Sequence, residues 1–309
     1  MNNLKKVGLT ALAGALASVS VNAADLSVTG TASINLYQEE GKDSGNGWTM
    51  GDVISFAATQ ELDNGMTITV NHALDDGVID DRSVTIDMAD NGVLVFHGKD
   101  GSSVLGSKDD TTPTAGEEAW GDVTGATGAL GGASSEDMFH YSNSSLFEGI
   151  TLAMAYVPSG GATEEESSVD YGVEYSNDSG LTVGFAMGEN NADADASIES
   201  TILYANMVLD AFTIGATISE ADSETANSDT DFQAFGISFA ATEELSMSIN
   251  SSSHDYELAT SQDQDAIGVS ISYVMGSMTL TANHNSVDNI AGNGDNDRSG
   301  YNINLAFAF

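Results

Sequence analysis

The chain has 309 residues, with 47 acidic residues against 7 basic ones, 33 glycines, two prolines and no cysteine, and its formal net charge is −40. This balance argues against nucleic-acid binding, because phosphate contacts depend on clustered Lys and Arg. Without cysteine the chain can form neither disulfides nor thiolate metal sites. Many glycines beside few prolines favour a protein of strands and turns rather than long helices.

The first 23 residues differ in composition from the rest. Lys5 and Lys6 form a basic start, residues 7–21 are mostly small or apolar, and Val21-Asn22-Ala23 resembles a cleavage site. This pattern predicts a secretory signal peptide over residues 1–23; an uncleaved membrane anchor is the alternative, disfavoured by the short apolar core. The mature chain then begins at Ala24 and carries a formal charge of −42, since 5 basic and 47 acidic residues remain.

From residue 24 onward, apolar and small polar residues alternate. In Asp25 to Gln38, Leu26, Val28 and Ile34 alternate with Ser27 and Thr29, which is the period of a strand with one wet and one apolar face. The same alternation returns in residues 66–74, 168–176, 181–187, 212–219, 245–252, 267–275, 278–285 and 301–309. We expect about 16 strands.

The connections between these segments are of two alternating kinds. Short ones are turn sequences such as Asp63-Asn64-Gly65 and Asn177-Asp178-Ser179-Gly180, whose residues supply positive φ. Long acidic ones are expected at residues 39–51, 75–81, 159–167, 189–196, 220–229, 255–263 and 287–298, and the longest spans about 99–135. Short turns at one rim and long loops at the other are typical of an outer-membrane β-barrel, which must close to pair its backbone in lipid. A secreted two-layer β-sandwich is the alternative.

The last strand carries a family resemblance. Tyr301 to Phe309 alternates large apolar with small or polar residues and ends on Phe309, and in this it resembles the final strand of Gram-negative general porins. Further similar segments are Asp25 to Gly30, Phe56 to Leu74, Gly92 to Gly98 followed by Ala119 to Asp122, and Asn143 to Tyr156. The resemblance covers residues 24–309 and is closest to alphaproteobacterial porins.

The resemblance implies an all-β fold: a 16-stranded antiparallel transmembrane barrel whose long third loop, about 99–135, folds inward and narrows the pore. It also implies an outer-membrane location, a homotrimer, and recognition of Tyr301, Phe307 and Phe309 by the barrel-assembly machinery. No nucleophile elbow, zincin motif or Walker loop is found, so we expect neither catalysis nor a cofactor.

The alternation of inward and outward side chains along a strand, called parity below, predicts a pore constriction together with the resemblance. Parity places Val93, Val95, His97 and Lys99 on the lumen face. His140 points inward on the next strand, whereas Arg82 points outward. Related porins have a basic wall opposite carboxylates of the third loop. The predicted basic side is His97, Lys99 and His140, and the predicted acidic side is Asp100, Asp109, Asp110, Glu117, Glu118 and Asp122. The alternative is that these are ordinary solvated residues.

Two functions remain open. The favoured one is a passive diffusion channel for ions and small hydrophilic solutes that prefers cations, because carboxylates outnumber basic residues at the expected constriction. The alternative is a secreted acidic calcium-binding or adhesive β-protein. Segments 191–195 and 293–297 offer oxygen ligands for weakly bound Ca²⁺, but neither contains a complete 12-residue calcium loop.

Overall fold

The computed structural model describes residues 24–42, 45–129, 135–159, 166–191 and 197–309. The predicted signal peptide and most of segment 191–195 therefore lie outside the described residues. In the described part of the chain, no helix is long and apolar enough to cross a membrane.

Sixteen antiparallel strands form a closed barrel in which each strand pairs with its sequence neighbours and β1 pairs with β16. The predicted fold class is thus confirmed. The strands are β1 (Asp25–Glu39), β2 (Trp48–Glu61), β3 (Thr67–Asp75), β4 (Val78–Asp87), β5 (Val93–Lys99), β6 (Met138–Phe147), β7 (Ile150–Val157), β8 (Ser168–Ser176), β9 (Leu181–Asn190), β10 (Ile198–Leu209), β11 (Phe212–Ser223), β12 (Thr230–Ala240), β13 (Leu245–Tyr256), β14 (Gln264–Met275), β15 (Met278–Asp288) and β16 (Arg298–Ala308). Short 3₁₀ turns lie at Ala89–Asn91, Gly106–Lys108 and Ile290–Gly292.

The two faces of the barrel follow from the alternation in the sequence. In β14, Ile267, Val269 and Ile271 are exposed on the outer face, while Ser270 and Ser272 between and beyond them are buried on the inner face. Successive strand residues point to opposite faces. The apolar face therefore lies outside, and the small polar face lines the lumen.

Barrel closure involves the last residue of the chain. Phe309 donates its backbone N–H to the Gly30 carbonyl at 2.9 Å, and Gly30 donates its own N–H to the Phe309 carbonyl at 2.9 Å. A Cβ at position 30 would lie only 2.6 Å from the Phe309 ring. Glycine at this position therefore leaves room for the terminal ring on the outer face.

One expected loop is a tight turn instead. Residues 75–81 were predicted as a long acidic connection, but β3 ends at Asp75 and β4 begins at Val78. The two residues between them, Asp76 and Gly77, have φ values of 48° and 77°. Asp-Gly is a preferred pair for the two-residue type I′ hairpin, which needs positive φ at both positions. That prediction was wrong, and the acidic residues that follow belong to β4.

Candidate functional site

The connection between β5 and β6, residues 100–137 and called loop 3 below, folds into the barrel. Near its start, Val104 and Leu105 donate their backbone N–H groups to the Asp170 carboxylate on β8 at 3.4 and 3.0 Å. Asp170 is fully buried. The same two loop residues pack into an apolar cluster with Met138, Ala155, Ala186 and Ile202. Loop 3 is therefore fixed to the inner wall where it enters the lumen.

The loop then continues along the inner wall toward β11. The Lys108 ammonium lies 2.8 Å from the Glu174 carboxylate of β8, and the same carboxylate accepts the Tyr204 hydroxyl of β10. Asn206 donates its side-chain amide to the Thr111 carbonyl at 2.9 Å. The one lysine within loop 3 is thus used to anchor the loop rather than to line the pore.

Backbone groups of the middle of loop 3 bond to polar side chains of β13 to β15. Ala115 donates its N–H to the Ser248 hydroxyl at 2.8 Å. Asn285 donates its amide to the carbonyls of Glu118 and Gly121 at 2.8 and 2.6 Å. Ser248 thus satisfies a loop N–H group and Asn285 satisfies two loop carbonyls; a buried backbone group left without a partner would cost about 1 to 3 kcal/mol.

The far end of loop 3 is held by a second buried carboxylate. Glu39, whose side chain is fully buried, accepts the Thr124 hydroxyl at 2.7 Å and forms an ion pair with Arg298. Arg298 also donates to the Thr124 carbonyl at 2.8 Å. Asp170 and Glu39 therefore anchor the two ends of the inward-folded segment, and we call them the two anchor carboxylates.

A track of inward glycines makes room for the loop. It consists of Gly172, Gly215, Gly236, Gly268 and Gly300, on β8, β11, β12, β14 and β16. A Cβ at Gly268 would lie 2.8 Å from Ala119 Cα, one at Gly236 would lie 2.5 Å from the Pro113 carbonyl, and one at Gly300 would lie 2.3 Å from the Asp122 carbonyl. Because these three contacts are with loop backbone, a side chain at Gly236, Gly268 or Gly300 would push the loop away from the wall.

Four of the predicted acidic residues, Asp109, Asp110, Glu117 and Glu118, interact electrostatically. Asp110 is exposed, whereas Glu118 is 4% exposed. Burial raises the pKa of Asp109 to about 7, with a further contribution from the Asp110 charge. Burial also raises the pKa of Glu118, to about 8, and its hydrogen bond with the Glu117 carboxylate acts in the same direction. At neutral pH the Glu117–Glu118 pair therefore shares a proton, and Asp110 is the most accessible of the four.

Of the other two predicted acidic residues, Asp100 lies apart, whereas the Asp122 charge still acts on Glu117. Asp100 is exposed at the beginning of loop 3, in the left-handed conformation with φ of 52°. The Asp122 carboxylate accepts the side-chain amides of Asn283 at 3.1 Å and Asn302 at 2.9 Å. Asp122 is thus held against the wall by two amide donors.

The residues of the predicted basic side present less positive charge to the lumen than their residue types suggest. His97 and His140 are on the inner face of adjacent strands, but a Cβ at Gly101 would lie 2.3 Å from the His97 ring, so the loop start covers that ring. A register shift places Lys99 opposite Arg82, and the Lys99 ammonium donates to the Ile79 carbonyl at 2.7 Å. The three residues therefore do not form one exposed cationic surface.

Every Lys and Arg after residue 24 has a partner. Three of them form ion pairs: Lys42 lies 3.6 Å from Glu39, Lys108 pairs with Glu174, and Arg298 pairs with Glu39. The other two donate to backbone carbonyls: Lys99 to Ile79, and Arg82 to Gly98 at 3.1 Å. Arg82 lies opposite His72 on the outer face, as its parity predicts. Within the described ranges, no Lys or Arg faces the lumen unpartnered.

The inner face of β2 to β4, which none of these loop anchors occupies, is neutral or acidic. Ser55, Asn71 and Ser83 face the lumen there, together with Asp75 and Asp81. Asp75 is exposed, and Asp81 accepts the Asn71 amide at 3.1 Å. The inner face of β2 to β4 therefore adds carboxylates to those of loop 3.

Sequence reasoning missed the residues that anchor the loop: Asp170, Glu174, Tyr204, Glu39, Arg298 and Lys108. Parity alone could have placed Asp170, Glu174 and Tyr204 on the inner face. Their function could not be seen, because Asp170 and Glu174 bond to loop residues far away along the chain, as Asp170 does with Leu105, 65 positions earlier. Tyr204 in turn bonds to Glu174.

Comparisons with known proteins agree with this architecture. A family model described as Gram-negative porin matches residues 8–309. No curated protein sequence matches the chain significantly. Similar solved structures include an anion-selective porin from Comamonas acidovorans (11% identity, TM-score 0.70, 93% of this chain and 100% of that chain) and the trimer form of OmpT from Vibrio cholerae (12%, 0.70, 93% and 100%). A mutant of the Rh. blastica porin is also similar (14%, 0.65, 92% and 100%).

Proposed function

The chain belongs to the Gram-negative porin family, whose members are diffusion channels of the outer membrane, and we propose that this porin prefers cations. One observation carries the proposal: each lysine and arginine after residue 24 is already bonded, whereas Asp110 of the inward-folded loop and Asp75 on the inner face of β3 are exposed. A passage bordered by one sign of charge concentrates the opposite ion. Ions and small hydrophilic solutes are the proposed cargo.

Reversal potentials of purified channels in a KCl gradient test this preference. Asp110→Lys places a cation at the most accessible acidic position and should lower the potassium-to-chloride permeability ratio several-fold. The matched control is Asp265→Lys, which makes the same charge change on the outer face of β14 and should leave the ratio unchanged. Wild-type anion selectivity at 0.1 M salt would refute the proposal, as it would show that the exposed inner carboxylates do not determine selectivity.

Charged residues on the outer face also support a homotrimer that forms through β2 to β4. Asp52, His72 and Arg82 lie on the outer face of these strands. Asp52 is opposite Ala32 of β1, and His72 lies between Phe56 of β2 and Arg82 of β4. An Arg facing lipid at the bilayer midplane costs about 2 to 4 kcal/mol. Contact with neighbouring copies of the chain would remove this sector from lipid. Arg82→Glu should then shift native mass toward the monomer, while Asp265→Lys should not; a monomeric wild type would contradict the trimer.

Export through a signal peptide at residues 1–23 and recognition of Tyr301, Phe307 and Phe309 by the assembly machinery belong to the same proposal. The outward position of these three side chains at the closing strand supports it. Ca²⁺ at the acidic loops gains no support, since no group of three or more candidate ligands among the described residues could hold a metal ion. The secreted calcium-binding or adhesive protein is not favoured, because the chain matches a porin family over nearly its whole length.

A further inference from the structure

A groove crosses the outer face of the barrel near the loop ends of β9 to β13. Its volume is about 560 Å³, and its apolar part is formed by Phe185, Leu203 and Ile218. These side chains are 37%, 42% and 53% exposed. The other end is bordered by carboxylates of Glu220, Asp231 and Asp255. One end of the groove is thus apolar and the other acidic.

The three carboxylates lie side by side on adjacent strands. Glu220 is directly opposite Asp231, and Asp231 is directly opposite Asp255. Like charges in directly opposite positions destabilise a sheet. The five Lys and Arg residues after residue 24 all bond elsewhere, as described above, so the chain places no basic side chain here.

The acidic end opens toward the loops. A second hollow of about 320 Å³ shares Glu220, Asp231 and Asp255 with the groove and adds Asp222 and Glu257. A head group at the three carboxylates could therefore reach water, while an attached chain lay along the apolar part. A phosphate or carboxylate head would be repelled from this end.

We propose that this groove binds a membrane amphiphile with an ammonium head group, its alkyl chain against Phe185, Leu203 and Ile218 and its cation among Glu220, Asp231 and Asp255. The combination of cavity, apolar lining and unbalanced charge carries the assignment, and the carboxylates alone would not. The apolar contacts bind the chain, and the carboxylates select the head group.

The probes are three molecules with one alkyl chain and different heads: oleylamine, oleyl alcohol and oleate. Binding to the intact barrel in neutral detergent is measured by native mass spectrometry at low salt. We expect oleylamine to bind at least tenfold more tightly than oleyl alcohol, and oleate to bind least. Equal binding of all three would overturn the proposal.

Two sets of variants locate the site. The triple variant Glu220→Gln, Asp231→Asn and Asp255→Asn should remove the preference for oleylamine, while Asp265→Asn with Asp288→Asn, another directly opposite outward pair, should keep it. Ile218→Trp should fill the groove and weaken binding of oleylamine and the alcohol alike. Ile267→Trp, at a position exposed to the same degree (52%), should not. Heat-modifiable gel mobility checks that each variant is folded.

Three results would overturn the assignment. If the triple variant retains the oleylamine preference, the cation binds elsewhere. If wild type prefers oleate once Mg²⁺ is added and the triple variant does not, the groove binds metal-bridged anions instead. If both tryptophan variants weaken binding equally, the alkyl chain of the probe binds nonspecifically to the outer surface of the barrel.

Discussion

The cation preference of the channel should increase as pH rises from 6 to 9. Burial raises the pKa of Asp109 to about 7 and that of Glu118 to about 8. A carboxylic acid is neutral below its pKa and charged above it, so both groups are mostly neutral at pH 6 and mostly ionised at pH 9. Up to two negative charges therefore appear beside the pore in this interval.

The size of the effect follows from the distance between these carboxylates and a passing ion. At about 8 Å in water, one charge attracts a cation by about 0.5 kcal/mol, and screening at 0.1 M salt halves this to about 0.2 kcal/mol. Each charge then enriches cations about 1.5-fold, and two charges about twofold. Because the same charges deplete anions by the same factor, we expect the potassium-to-chloride permeability ratio to rise about fourfold, and by less at 1 M salt.

Reversal potentials measured at successive pH values test this rise, with Asp109→Asn combined with Glu118→Gln as the diagnostic variant. The double variant lacks both of these titrating carboxylates and should therefore lose the rise. A wild-type ratio that stays flat from pH 6 to 9, or a double variant with the full rise, would show that these carboxylates do not face the permeating ions.

Three further predictions follow from the closing strand, the loop and the glycine track. Deleting Phe309 should lower outer-membrane levels far more than the lost burial of about 2 to 3 kcal/mol explains; normal levels would count against recognition of the terminal residue. Removing residues 103–127 should leave a folded barrel with higher single-channel conductance, and unchanged conductance would place the loop outside the pore. Gly268→Leu should displace loop 3 and change conductance, whereas the outward neighbour Val269→Leu should not; equal conductance of Gly268→Leu and wild type would mean that the loop tolerates a side chain there.

The barrel was predictable because a period of two is a local property. Each outward or inward assignment depends only on a residue's position in its own strand, so His97 inward and Arg82 outward could be read directly. The hairpin at Asp76-Gly77 was misjudged because neighbouring carboxylates resemble a loop in composition. The two residues with positive φ determine the turn, and the acids beside it are simply strand residues at the rim.

The loop anchors could not be predicted, because they join residues that are distant in sequence. Arg298 bonds to Thr124 across 174 positions, and nothing near either residue indicates the other. Lys99 illustrates the same limit on the predicted basic side. Parity describes its direction within β5, but the register shift beside Arg82 and the bond to Ile79 arise only when β4 and β5 pair.

Net charge is a poor measure of selectivity in this porin because its carboxylates perform different functions. The two anchor carboxylates are buried: Asp170 accepts hydrogen bonds from loop N–H groups, and Glu39 forms an ion pair with Arg298. Carboxylates on the outer face, such as Asp231, are separated from the lumen by the barrel wall and act over only about 10 Å at 0.1 M salt. The preference for cations therefore depends on the few accessible inner carboxylates, with Asp110 foremost, rather than on the sum of −40. Neutralising Asp110 should consequently change selectivity more than neutralising any outward pair of carboxylates.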